Sequence, residues 1–102
     1  MIEGIQNKVR DALFELSGHA LERSIERSIP LDDIIDAILS GTIIEHYPND
    51  RYGPTCLILG YTRNKRPLHI QCSYPTRPLI KVITLYEPTI DKWERNLKIR
   101  RQ

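Results

Sequence analysis

No uncharged run in this 102-residue chain is long enough to cross a membrane. The longest, Tyr52–Thr62, has eleven residues, whereas a spanning helix needs about 20. The opening Met1-Ile2-Glu3-Gly4 lacks the basic region and apolar core of a signal peptide. A cytoplasmic location with no membrane partner is therefore expected. Cysteine is sparse, with only Cys56 and Cys72, and neither a CxxC nor an HxxxH spacing occurs. No metal or cofactor is expected from such a pattern, and the remaining metal alternative draws on two of His19, His46, His69 and the cysteines. In a reducing compartment the two thiols stay unpaired, as small buried hydrophobes inside strands. Repeats, low-complexity tracts and linkers are absent, so residues 1–102 read as a single domain.

What is present suits a globular fold. At 40% hydrophobic and 27% charged residues, the composition is ordinary for a soluble domain. A chain of this length buries roughly two-thirds of its unfolded surface and folds without staples. The net charge of +2 is unevenly spread. Residues 1–41 carry a net −4, residues 42–90 a net +3, and residues 91–102 a further +3. The basic part is either a solvated surface ending in a cationic helix terminus or a face for RNA phosphates or an acidic partner.

Hydrophobic spacing predicts three helices and then strands. Ile2, Ile5, Val9, Leu13 and Leu16 follow a helical period through residues 2–16. Ser17 then caps a second helix over His19–Ser28, which Pro30 ends. Leu31–Ser40 forms a third, with Asp32 and Asp33 in its first turn and Gly41 as its stop. Strands are expected at Thr42–Tyr47, Thr55–Thr62, Pro67–Ser73 and Leu79–Tyr86, and a short helix over Ile90–Ile99. The fold class is α+β, with N-terminal helices packed on a four-stranded antiparallel sheet and a short C-terminal helix.

Candidate chemistry gathers on two elements. His19, Arg23 and Arg27 recur every four residues and share a helix face, while Leu21 and Ile25 occupy the face that packs. A titratable imidazole beside guanidiniums suits binding and cleaving a phosphodiester; the bland alternative is a solvated face of weak ion pairs. His69 alternates with Leu68 and Ile70, which places it on an open sheet face with Gln71 and Ser73. On the last strand Thr84 and Tyr86 share a face with Ile80 and Val82, and Lys81 lies on the other. Thr84 is expected roughly opposite His69. Tyr86 orients a substrate or donates a proton, or else packs across strands. Trp93 is expected to be a core anchor.

These segments together are familiar. The run His19-x-x-x-Arg23-x-x-x-Arg27-x-Ile29, the helix from Asp32-Asp33 to Gly41, Ile44–Asp50, Cys56–Gly60, Arg66–Ile70, Ile83–Pro88 and Trp93 resemble domain-of-unknown-function family 4258. That family is usually grouped with BrnT- and RelE-type toxins. The resemblance covers residues 17–101 as a toxin-like core and leaves 1–16 as a helical extension. It implies helices on an antiparallel sheet, in a superfamily with many metal-independent endoribonuclease toxins. Such toxins are neutralised by an antitoxin, here of the small zinc-finger kind. His19, Arg23, Arg27, His69, Thr84 and Tyr86 match the family pattern.

The expected function is cleavage of RNA by attack of the 2′-hydroxyl. It needs proton transfer, assigned to His69 or His19, and charge stabilisation, assigned to Arg23 and Arg27. Tyr86 would orient the substrate or act as acid, while Thr84 and Lys81 bind it along with the C-terminal basic residues. The alternative is a non-catalytic module that binds protein or nucleic acid. A toxin acting on a target other than RNA is a third reading.

Overall fold

Where apolar spacing predicts one helix over residues 2–16, the chain forms two elements. The structure, a computed structural model, describes all 102 residues. Helix α1 (Ile2–Arg10) buries Ile5 and Val9 and then stops. Ala12 turns into the left-handed region at φ 59°, with the Leu13 N–H donating to the Lys8 carbonyl at 2.8 Å. The chain leaves as strand β1 (Phe14–Leu16). Leu13 and Leu16 fit a helical period by sequence, but Phe14 and Leu16 also alternate around exposed Glu15, and the neighbouring strand decides between the two.

Ser17 begins helix α2 (Gly18–Glu26) as predicted, its hydroxyl accepting from the Ala20 N–H at 3.0 Å. The same hydroxyl donates to the Ile83 carbonyl at 2.8 Å, so the cap also pins the helix to the sheet. Pro30 does not end α2. Ser28, at φ 53°, has already reversed the chain, and Pro30 opens helix α3 (Leu31–Leu39). Gly41 follows α3 for want of space, not for its conformational freedom. A Cβ there would press on Ile58, and one at Gly60 would collide with the backbone of Ala37. Helix α3 thus lies backbone against backbone on the sheet.

The strands are β2 (Thr42–Tyr47), β3 (Thr55–Tyr61), β4 (Pro67–Ser73) and β5 (Ile80–Tyr86). With β1 they make a five-stranded mixed sheet in the order β1-β5-β4-β3-β2, antiparallel except for the β1–β5 pair. This corrects the expected four-stranded antiparallel sheet. The missed strand is three residues long, and its pairing partner lies more than sixty positions away, so no local pattern announces it. Helices α2 and α3 contact β5 and β3, and the core lies there, from Ile5, Ile34 and Ile38 to Ile58, Ile70 and Leu85. Cys56 and Cys72 face each other in register across β3 and β4, buried and unpaired as expected. No helix is long and apolar enough to cross a membrane.

Two irregularities set what the other face of the sheet presents. Between Ile43 and Glu45 the register with β3 slips by one residue, so Glu45 lies opposite Leu57 instead of Cys56. Between Gln71 and Cys72 the register with β5 slips likewise, leaving Ile83 as the extra residue. Each bulge moves the side chains beyond it to the opposite face. Ile80, Val82 and Leu85 therefore join the core, while Thr84 and Tyr86 face outward with Gln71 and His69. The expectation that Thr84 and Tyr86 share a face with Ile80 and Val82 fails at the bulge. Thr84 sits opposite Gln71, and Tyr86 opposite His69.

The expected C-terminal helix over Ile90–Ile99 is also absent. Residues 88–102 make an irregular hairpin closed by Trp93 bridging to Arg100, with Leu97 in the left-handed region at φ 62°. Its helical spacing buries nothing useful, since Ile90 and Ile99 are exposed and only Trp93 is deeply buried. The hairpin instead lays Trp93 on the outer sheet face. Gly60→Ala is expected to destabilise the fold by about 3 kcal/mol, because both the α3 and β3 backbones are fixed there. Urea unfolding of the variant beside wild type measures it.

Candidate functional site

His69 projects from the outer face of β4, yet none of its surface is exposed. The Leu97 carbonyl lies 2.7 Å from Nε2. A carbonyl only accepts, so Nε2 carries the proton and Nδ1 receives the Tyr86 hydroxyl, 3.0 Å away. Burial holds the ring's pKa below the ordinary imidazole value, with the Arg100 charge acting the same way and the Leu97 carbonyl and Glu45 opposing. Burial raises the Tyr86 phenol above its usual value. Trp93 closes the site from outside, edge-on to His69 with ring centroids 4.3 Å apart.

Arg100 lies over the Trp93 ring at 4.6 Å from its centroid. It grips Glu45 with Nε at 2.9 Å and Nη2 at 3.0 Å from the two carboxylate oxygens, a bidentate geometry. Tyr47 donates its hydroxyl to the same carboxylate. Burial pushes the Glu45 carboxyl up, but the bonds from Arg100 and Tyr47 outweigh it and hold it below the usual value. Burial, then the bond to Glu45, pushes the Tyr47 phenol up to about 12. The β2 bulge is what brings Glu45 to this face at all.

Beside this cluster opens a cleft of about 800 Å³ lined by Arg23, Arg27, Arg66, Lys92 and Arg100, with Thr84, Tyr86, Glu87 and Trp93. The cations come from α2, from the hairpin ahead of β4, and from the C-terminal hairpin. Three of them are already engaged: Arg23 with Glu26 at 2.5 Å, Arg66 with Glu87 at 2.5 Å, and Arg100 with Glu45. Arg66 also donates to the Ser28 and Arg27 carbonyls at 2.9 Å, closing the end of α2. Arg27 is exposed, and neither it nor Lys92 makes a side-chain hydrogen bond or ion pair. A smaller cavity of about 330 Å³ adjoins, sharing Thr84, Tyr86 and Arg100 and adding Tyr47, Asp50, Leu57 and Gln71.

Of the residues predicted from sequence, Arg23, Arg27, Thr84 and Tyr86 line the cleft. His69 backs it through Tyr86. His19, exposed one turn before Arg23, does not line it. Lys81 does not either; it precedes the β5 bulge and pairs in register with Glu15 of β1. Trp93 is a buried anchor, but on the outer face and not in the main core. Sequence reasoning did not single out Arg66 or Glu45, whose signals lay in the Arg66–Ile70 and Ile44–Asp50 segments, and it held Arg100 and Lys92 only as members of a basic tail. His46 is engaged elsewhere, with Tyr74 at 2.8 Å. No group of three His, Cys, Asp or Glu side chains converges to hold a metal.

The buried His69 makes a pH signature. Its folded pKa is lowered, so the unfolded chain binds the proton more readily, and stability is complete above the unfolded value of about 6.5 and declines below it. The slope contributed cannot exceed ~1.4 kcal/mol per pH unit, the limit for one proton. His69→Gln is expected to flatten that slope between pH 7 and pH 5, although it lowers stability at neutral pH. Urea unfolding of both proteins across this range measures it.

Comparison with curated proteins and with solved structures finds no match. Among families, the one described as Domain of unknown function (DUF4258) matches residues 16–87. The match ends before Pro88, so Lys92, Trp93, Leu97 and Arg100 lie outside it. It takes in Arg23, Arg27, Arg66, His69 and Tyr86 and spans more than half of the sequence, and the chain therefore belongs to the DUF4258 family.

Proposed function

We propose that this protein is a cytoplasmic RNA-binding domain whose cleft takes a single-stranded phosphodiester backbone. The observation that carries the reading is the convergence of five cationic side chains from three parts of the chain on one cleft that also exposes Tyr86. Cations that track phosphates beside an aromatic surface are the chemistry of single-strand binding. Arg27 and Lys92 have no acidic partner to give up, so they meet phosphate at the lowest desolvation cost. Arg23, Arg66 and Arg100 supply fixed positive field.

Cleavage is the second reading, and the Tyr86–His69 hydrogen bond favours it. The Tyr86 oxygen would accept the proton of a ribose 2′-hydroxyl while passing its own proton to His69 Nδ1. The O2′–P bond then forms as the P–O5′ bond breaks, and the leaving oxygen takes a proton from solvent. His69 acts only through Tyr86, as a positioning and proton-storing residue. Its lowered pKa opposes holding that proton, which is why binding comes first in this assignment. On this reading the protein is a metal-independent endoribonuclease, and kinship with BrnT- and RelE-type toxins, along with an antitoxin partner, belongs to the same proposal.

Joint replacement of Arg27 and Lys92 by Ala is expected to weaken binding of a fluorescent single-stranded RNA about tenfold or more. It should also lower the salt slope by about 1.4, the single-strand value for two phosphates. Unchanged affinity would remove the cleft from the reading. Incubating RNA with wild type and Tyr86→Phe in excess EDTA tests cleavage. Loss of about 100-fold in rate with binding intact is expected if Tyr86 moves the proton, and no 2′,3′-cyclic phosphate ends from wild type leaves binding alone.

A further inference from the structure

Helix α2 has a second face that the cleft does not use. Leu21 and Ile25, predicted as its packing face, are 52% and 71% exposed. What the helix buries instead is Ala20, because Arg23 and Arg27 turn toward the cleft and Ser17 pins the helix start to β5. Leu31, 49% exposed at the start of α3, faces the same region. With Leu16, Ile29 and Ile34 these side chains line a groove of about 580 Å³ between α2, α3 and β1 that contains no charged residue. Exposed aliphatics gathered around one groove are a feature of interaction surfaces, and isoleucine is a poor choice for an exposed helix position on propensity alone.

The charge of this half of the chain indicates what covers the groove. Glu22 follows Leu21 in the chain, and Asp32 follows Leu31; both are exposed. Neither enters any of the ion pairs of the structure. Residues 1–41, which hold both walls, carry a net −4. A second copy of this chain would set one acidic segment against another, so charge argues against self-association. The chain's own basic C-terminal segment is already anchored on the outer sheet face through Trp93 and Arg100. Leu21 and Ile25 are spaced i, i+4 on one wall, and Leu31 and Ile34 i, i+3 on the other, the spacing of side-chain ridges that pack against a helix.

We infer that the α2–α3 groove binds an amphipathic helix of another protein, one with aliphatic anchors along one face and lysine or arginine flanking them. This surface shares no lining residue with the cationic cleft, and the inference stands apart from the reading of that cleft. Binding there would leave Arg27 and Tyr86 open while adding a partner to the opposite side of the same helix.

A display library tests it directly. Single helices with a fixed aliphatic face and flanks randomised among Lys, Arg, Asp, Glu, Ser and Gln are selected on the intact protein. Lys and Arg are expected to dominate the flanks. Ile25→Ser and Leu21→Ser should each weaken a selected peptide by about tenfold, the scale of an anchor residue. Glu22→Lys combined with Asp32→Lys should weaken it further, while RNA binding and thermal melting stay unchanged in all of these variants. Acidic or neutral flanks, a peptide indifferent to Ile25→Ser, or no helix enriched above background would each overturn the inference. So would a wild-type dimer in sedimentation that Ile25→Ser dissolves, since the occupant would then be a second copy.

Discussion

Trp93 lies edge-on against the His69 ring, and that contact governs what the outer face of the sheet offers. One layer of helices covers only the inner face of a five-stranded sheet. Without the C-terminal hairpin, His69 would lose the indole and the carbonyl that cover it. The hairpin has no regular secondary structure, so its hold comes from side chains: the buried indole, the Arg100 fork on Glu45, and the Leu97 carbonyl on His69. The same segment then supplies Lys92 and Arg100 to the cleft. Sealing the histidine and building the cationic site are one structural event.

Two single-residue bulges make that event possible. A regular β2 would place Glu45 toward the core, where an ionised carboxylate is costly to bury; the slip at Ile44 turns it outward to meet Arg100. A regular β5 would place Thr84 and Tyr86 with Ile80 and Val82. The slip at Ile83 lets Leu85 complete the core and frees Tyr86 for His69. Ser17 holds the Ile83 carbonyl, so the cap that starts α2 also fixes the bulge that aims Tyr86. Arg23 and Arg27 are carried on that same helix.

The electrostatics divide the cleft into a fixed part and a free part. Arg23, Arg66 and Arg100 are held by Glu26, Glu87 and Glu45, which orients their guanidiniums and lowers the entropy lost on binding an anion. Arg27 and Lys92 carry the uncompensated charge. Exposed pairs of this kind add little to stability, so their arrangement serves the field in the cleft more than the fold. On the other side of α2 lies an apolar groove lined by no charged residue, and the helix separates the two environments.

Local sequence determined much of this protein. The Ser17 cap, the extents of α3, β2 and β4, the buried thiols and the alternation that sets His69 apart from Leu68 and Ile70 are all dictated within a few residues. So is the stripe of Arg23 and Arg27. Tertiary structure alone decided the rest. Phe14–Leu16 became a strand because β5 was there to pair with it, and Ile90–Ile99 gave up a helix to lay Trp93 on the sheet. The two bulges follow from matching each strand's buried set to its neighbour's, a condition that neither strand states by itself. His69 is buried because of a residue twenty-four positions away, and Lys81 and His19 fall outside the cleft because of where a bulge and a helix end lie. Side-chain period is a property of one segment; which face is wet is a property of everything packed around it.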